Sequence, residues 1–192
     1  MSAKLSEAEV HWRDFLIDLK DRGLHGVKLF VSDDHAGLKA ARKAVFPSVP
    51  WQRCQFHLQQ NAGAYVPRQD MRKAVAAAIR DIFNAPDADE AKRLLERFVV
   101  KYQSKAPKLS AWAAEAIPQG LAVFALPTTH QRRLRTTNVL ERVNKEIKRR
   151  TRVAILFPNE ASCERLVTAI AMEISEEWVT GRIYLNMETE AD

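Results

Sequence analysis

The sequence predicts an α/β fold whose strand-bearing part is interrupted by a long all-helical stretch. Two short runs rich in β-branched and aromatic residues, Val27 to Val31 and Trp51 to Phe56, alternate with helical segments in the order helix, strand, helix, strand, helix. That alternation places neighbouring strands parallel, with helical crossovers. Residues 62–130 keep a helical apolar period and carry no strand signal beyond a doubtful run at Leu121 to Leu126. Residues 131–192 then supply a strongly basic helix and a long apolar one. The chain accordingly divides into residues 1–61, 62–130 and 131–192.

Each element has a local reason. Ser6 with Glu9 forms a capping-box pattern, Trp12, Phe15, Leu16 and Leu19 follow at helical spacing, and Gly23 supplies the stop. Val27 to Val31 reads as a buried strand. Ala36 to Val45 reads as a helix, broken by Phe46-Pro47-Ser48-Val49-Pro50. The second strand, from Trp51, leads into a helix near Leu58 to Asn61. Asp70 to Phe83 is alanine-rich, with Val75, Ile79, Ile82 and Phe83 on one side. Asp87 and Glu90 make a cap ahead of Ala91, Leu94, Leu95, Phe98, Val99 and Tyr102. Leu109, Trp112, Ala113 and Ile117 form a further short helix ended by Pro118 and Gly120. Pro158-Asn159 opens a long helix with Leu166, Ile170, Ile174 and Trp178 at an i+4 repeat. Trp51, Trp112 and Trp178 sit among apolar neighbours and read as packing anchors; contact of Trp112 with a displaced base is the alternative.

The chain is 46% hydrophobic and 28% charged, an ordinary globular composition. No apolar run approaches the roughly 18–20 residues that span a bilayer, and the N-terminus lacks a signal-peptide pattern. With no export signal, Cys54 and Cys163 are expected as reduced thiols in an intracellular protein. Charge is the informative quantity. From Gln131 to Arg152 nine basic residues face two acidic ones, a local +7 that exceeds the +6 of the whole chain. Such a concentrated basic surface suits a polyphosphate, whose affinity comes from phosphate neutralisation and counterion release.

Asp33 follows the first strand directly, and ligands and catalytic groups collect at strand carboxyl ends in open α/β sheets. It would hold a divalent ion; alternatively, Asp33 or Asp34 caps the helix that begins near Ala36. Glu141 has the same ambiguity. With Asn138 as N-cap it takes the third helical position of a capping box, or pairs with Lys145 one turn on. Leu140, Val143 and Ile147 would form the buried stripe of that helix, while Glu141, Lys145, Lys148 and Arg152 line another face. Cys54-Gln55-Phe56-His57 has the spacing of half a zinc site, without a second half in the sequence. A buried thiol beside a hydrogen-bonded histidine is the alternative.

These ordered segments resemble the mutator-type transposases of bacterial insertion sequences. The match runs through Val31-Ser32-Asp33-Asp34-His35-Ala36-Gly37-Leu38, then Trp51 to His57 with Asn61, Arg135-Thr136-Thr137-Asn138 through Arg152, Leu156-Phe157-Pro158-Asn159, and Glu176-Glu177-Trp178. The resemblance implies an RNase H-like catalytic fold, partial in this chain, carried by residues 1–61 and interrupted by the helical insertion at 62–130. Residues 131–192 would carry the last acid and the basic face. It implies Asp33 and Glu141 as the second and third acids of a DDE triad and as metal ligands, and Cys54 and His57 as a C-x2-H motif. It further implies two Mg2+ or Mn2+ ions acting on a DNA phosphodiester in transposition and recombination. Arg135, Asn138, Arg142, Asn144, Lys145, Lys148, Arg149, Arg150 and Arg152 would contact DNA, both insertion-sequence ends and target, in a homo-oligomer acting inside the cell at the nucleoid. The family's first Asp lies on an earlier strand. Asp14, Asp18 and Asp21 fall on the first helix instead, so this chain is expected to be a C-terminal portion, inactive alone. The alternative is a non-catalytic DNA-binding remnant or regulator of a decayed element.

Overall fold

A computed structural model describes residues 8–153 and 157–181. It is mostly helical, with one small two-stranded parallel sheet, and its described residues divide into two compact units, residues 8–137 and residues 138 onward.

In the larger unit, α1 (Glu9–Asp21) ends where Gly23 takes φ +98°, a left-handed conformation open to glycine. Ala8 precedes its first turn without a side-chain cap, and the Ser6 of the expected capping box lies outside the described residues. The strands β1 (Phe30–Ser32) and β2 (Trp51–Arg53) pair in parallel, with Phe30 opposite Trp51 and Ser32 opposite Arg53. Between them α2 (Ala36–Val45) crosses over and packs on α1 through Leu16, Ala41 and Phe46. Both strands are shorter than the sequence predicts, and β2 ends early because α3 (Gln55–Ala62) begins two residues after it and takes Phe56 and His57 into a helix.

The helices α4 (Arg72–Phe83), α5 (Ala88–Gln103) and α6 (Pro107–Ala116) pack with α3 around the main core. Its centre is Leu58, Ile79, Ile82, Leu109 and Ile117, each at most 1% exposed. Burying one such side chain contributes about 1.5–3 kcal/mol. Asp87 caps α5 as its sequence predicts, its carboxylate accepting from the Glu90 N–H at 2.8 Å. The doubtful strand at Leu121 to Leu126 is instead a 3-10 turn, Ala122–Ala125, followed by a short helix α7 (Thr128–Leu134) that the periodicity did not announce. Four buried residues in a row, Gln52, Arg53, Cys54 and Gln55, thread between the sheet and this core.

The Gln52 amide, wholly buried, is satisfied on both sides. Its nitrogen donates to the carbonyls of Gly120 at 2.7 Å and Arg53 at 2.9 Å, and its oxygen accepts from the Val123 N–H at 2.8 Å. Gln55 adds a second bond to the Gly120 carbonyl, at 2.8 Å. A Cβ at 120 would lie 2.6 Å from a methyl of the buried Leu58, so any larger residue there makes that side chain shift.

The second unit's described part is α8 (Asn138–Thr151) and α9 (Glu160–Thr180). Asn159 caps α9, accepting from the Ser162 N–H at 2.9 Å. The expected stripes are only partly buried. Ile170 is 3% exposed, but Trp178 is 53% and Leu140 58% exposed, so neither packs as an anchor. What joins the helices is ionic. Arg150 of α8 grips Glu173 of α9 with two bonds, at 2.6 and 2.9 Å, and also bonds Glu146 at 2.7 Å. Hydrogen bonds from Arg149 and then Arg150 hold the Glu146 carboxyl down at about 2, and Arg150 likewise lowers Glu173.

Two outcomes follow. Replacing Gln52 with leucine strands the Val123 N–H, while the Gly120 carbonyl keeps its bond from Gln55, and should lower stability by about 1–3 kcal/mol in denaturant titration. The Glu146 and Glu173 carboxyls titrate lower folded than unfolded, so their contribution is complete above the ordinary value of 4.5 and lost as pH falls towards about 2 for Glu146. The protection factors of amides in α8 and α9, corrected for the intrinsic pH dependence of exchange, should therefore fall across that window, and Arg150→Ala should flatten the dependence.

Candidate functional site

The site begins with a cap. His35 precedes α2, and its Nδ1 accepts from the Leu38 N–H at 3.2 Å. Neither Asp33 nor Asp34 caps that helix, which removes the structural alternative raised by the sequence. The two carboxylates then go different ways. Asp34 is held by Lys39 at 2.7 Å and by the nearly buried guanidinium of Arg53 at 3.0 Å. Burial pushes its carboxyl up, but the Lys39 hydrogen bond and the charges of Arg53 and Lys39 outweigh it and keep the acid below its ordinary range. Asp33 keeps 54% of its side chain exposed and sets Oδ1 2.5 Å from His57 Nδ1.

Cys54 occupies the position before α3. Its N–H donates to the Ser32 carbonyl at 2.8 Å, extending the parallel ladder by one rung and bringing the start of α3 against the end of β1. The side chain is wholly buried, and Sγ accepts from the Thr137 N–H at 3.5 Å and the Thr137 hydroxyl at 3.4 Å. His57 lies within the first turn of α3. A carboxylate oxygen of Asp33, Sγ of Cys54 and a ring nitrogen of His57 consequently all lie within 4.8 Å of one another. Residues 21 positions apart meet because two parallel strands present their C-terminal ends together.

Beside this cluster lies a cleft of about 420 Å³, bordered by Asp34, Lys39, Arg53, Asn61, Tyr65 and Trp112. Tyr65 and Trp112 stack with ring centres 5.2 Å apart and planes 19° apart. Sequence reasoning missed Lys39, Arg53 and Tyr65 here. The available signal was Arg53 itself, a cation placed inside an otherwise strand-like run.

Arg135 also belongs to the larger unit, where its carbonyl accepts from the Gln55 N–H at 3.0 Å and its guanidinium donates to Asn84 Oδ1 at 2.8 Å. Arg132 and Arg133 lie in α7, and the remaining basic-segment residues stand on or just beyond α8. Asn138 is its first helical residue rather than its cap. Glu141 is half-buried in the first turn, while Arg142, Asn144, Lys145, Lys148 and Arg152 are exposed. Arg149 and Arg150 are engaged by Glu146 and Glu173, as above; Arg142, Lys145, Lys148 and Arg152 stand outside those ion pairs. Asp33 and Glu141 fall in different units.

Residues 1–181 match the family model described as "Transposase, Mutator family". The chain is 61% identical, over 94% of its length, to the transposase for insertion sequence element IS406 of Burkholderia multivorans, covering 47% of that protein. It is 45% identical, over 95% of its length, to the transposase for element ISRM5 of Rhizobium meliloti, covering 46% of it. A third relative is the transposase for element IS256 in transposon Tn4001 of Staphylococcus aureus, 34% identical over 95% of this chain and 47% of its own length. The chain thus spans about half the length of these relatives. With an ordered match across residues 1–181, it belongs to the Mutator family of transposases.

Proposed function

We propose that this chain is the part of an insertion-sequence transposase that contributes two acids and a phosphate-holding helix to DNA strand cleavage and joining. The observation that carries the reading is Asp33: an exposed carboxylate at the C-terminal end of a parallel strand, released from helix capping by His35. In this reading the strands and first helices belong to an RNase H-like fold, and residues 62–130 are its helical insertion. Glu141 is the second of the two acids. DNA is the partner, both as element ends and as target, and copies of the protein work together on it inside the cell. Among the described residues, no helix is long and apolar enough to cross a membrane.

The family resemblance implies Mg2+ or Mn2+ in the complete enzyme, where it would polarise a phosphodiester and activate the attacking oxygen. Mg2+ is bound through oxygens. Around Asp33 the neighbouring donors of its own unit are a thiol and an imidazole, and Asp34 is committed to Lys39 and Arg53. These residues do not by themselves make a Mg2+ site. What the chain's own groups do is clearer. The short contact to His57 orients Asp33, and Arg53 with Lys39 draws Asp34 aside. Arg142, Lys145, Lys148 and Arg152 offer four cations on or next to one helix for a phosphate backbone, while Arg149 and Arg150 hold α8 in shape. The stacked Tyr65 and Trp112 beside Lys39 and Arg53 offer a π-face and cations to an unpaired base.

DNA binding by the 192-residue chain should be salt-dependent and indifferent to sequence. Neutralising Arg142, Lys145 and Lys148 together should reduce the slope of log affinity against log salt by about 2–3. Arg150→Gln should chiefly lower stability; an unchanged slope in the triple variant removes α8 as the phosphate contact. Within the complete transposase, Asp33→Ala and Glu141→Ala should each cut strand joining by about 1,000-fold or more, several kcal/mol of transition-state stabilisation. The isolated chain should join no strands, and robust joining by it would overturn the two-acid reading.

A further inference from the structure

We infer that Asp33, Cys54 and His57 form a binding site for a thiophilic divalent cation of the Zn2+ class, distinct in its chemistry from the oxygen-bound ions expected at a transposase centre. Three elements bring one oxygen, one sulfur and one nitrogen donor within 4.8 Å of one another. That combination is characteristic of Zn2+ and Co2+ and foreign to Mg2+. In a tetrahedral site the donor atoms stand about 3.2–3.8 Å apart, given Zn–O and Zn–N near 2.0 Å and Zn–S near 2.3 Å. The 2.5 Å Asp33–His57 contact must therefore open slightly. The Asp33 side chain, 54% exposed at a strand end, has the freedom to do so, whereas Cys54 is fixed in the backbone ladder.

The surroundings of the sulfur support ligation. Two donors from Thr137, an N–H and a hydroxyl, point at Sγ, the kind of outer-shell bonding that stabilises a metal-bound thiolate. Binding would release the Cys54 thiol proton to solvent, use the lone pair of His57 Nδ1 with the ring proton on Nε2, and take one oxygen of ionised Asp33. Water would occupy the fourth position, on the solvent side of Asp33. The inference shares Asp33 with the proposed reaction but does not rest on it.

The test is titration of the 192-residue protein with Co2+, followed by absorption. Binding at this site gives a thiolate-to-cobalt charge-transfer band in the near ultraviolet and tetrahedral d–d bands in the visible. Zn2+ should bleach both at stoichiometric addition, and a thousand-fold excess of Mg2+ should not. Cys54→Ser should remove the charge-transfer band, and His57→Ala and Asp33→Asn should each weaken Co2+ binding by at least tenfold. Cys163→Ser should leave the spectrum unchanged. Circular dichroism checks that each variant is folded; if Cys54→Ser is not, the His57 and Asp33 variants decide. The site is refuted by absence of the charge-transfer band, by its loss in Cys163→Ser with survival in Cys54→Ser, or by equal competition from Mg2+. Strand joining is not read in this titration, so failure of the thiolate site leaves the proposed function to its own test.

Discussion

The position of every candidate side chain in the larger unit traces to the buried amide of Gln52. A parallel pair of three-residue strands is too short to hold itself in register. Gln52 supplies the missing constraint by bonding into the turn after α6, so that β2 is clamped to the helical core through Gly120 and Val123 rather than through further strands. Breaking one member of such a network leaves a desolvated partner behind, which makes the arrangement all-or-none. Arg53 and Cys54, the next two residues, inherit that fixed position. One is then aimed at Asp34, and the other extends the ladder to Ser32.

The same constraint explains why the two neighbouring carboxylates differ. With β2 fixed, Arg53 sits where it reaches Asp34, and Lys39 of the crossover helix closes from the other side. His35 takes over the capping of α2. Among the described residues, Asp33 is left as an acid that caps no helix, set against His57 with the Cys54 sulfur close by. A carboxylate in that state is suited to ligating an ion. One consumed by a helix terminus is not.

Much of this was legible in the sequence, and the failures have physical causes. Local rules worked where the signal was local: Asp87 and Asn159 cap the helices they precede, Ala36–Val45 is a helix, and Gly23 adopts the left-handed conformation that its stop position requires. Leu121 to Leu126 has strand-like composition but no neighbouring strand to pair with, so its backbone groups close on themselves as a 3-10 turn. The capping residue of α2 was misassigned because Asp, Asn and Ser are the usual caps, and an imidazole nitrogen filling that role has no local signature. The grouping of Asp33 with Cys54 and His57 depends on strand pairing between residues far apart in sequence, which spacing within either motif cannot reveal. The α9 stripe failed differently. Its i+4 repeat is real, but in the described residues only Ile170 is buried, because periodicity marks a face without saying what covers it.

The basic helix shows how formal charge and usable charge part company. Summed over the segment the excess is large, yet two of its arginines neutralise Glu146 and Glu173 and are held by those bonds. A guanidinium locked between two carboxylates contributes little net field to a phosphate, and withdrawing it would uncouple α8 from α9. The cations of α8 outside that network are Arg142, Lys145 and Lys148, and these share the helix with Glu141. Arg149 and Arg150 therefore order α8, and in the proposed reading the phosphate contacts belong to Arg142, Lys145 and Lys148. The acid and the cations that would serve it lie on one rigid element, whose shape is set by ion pairs at its other end.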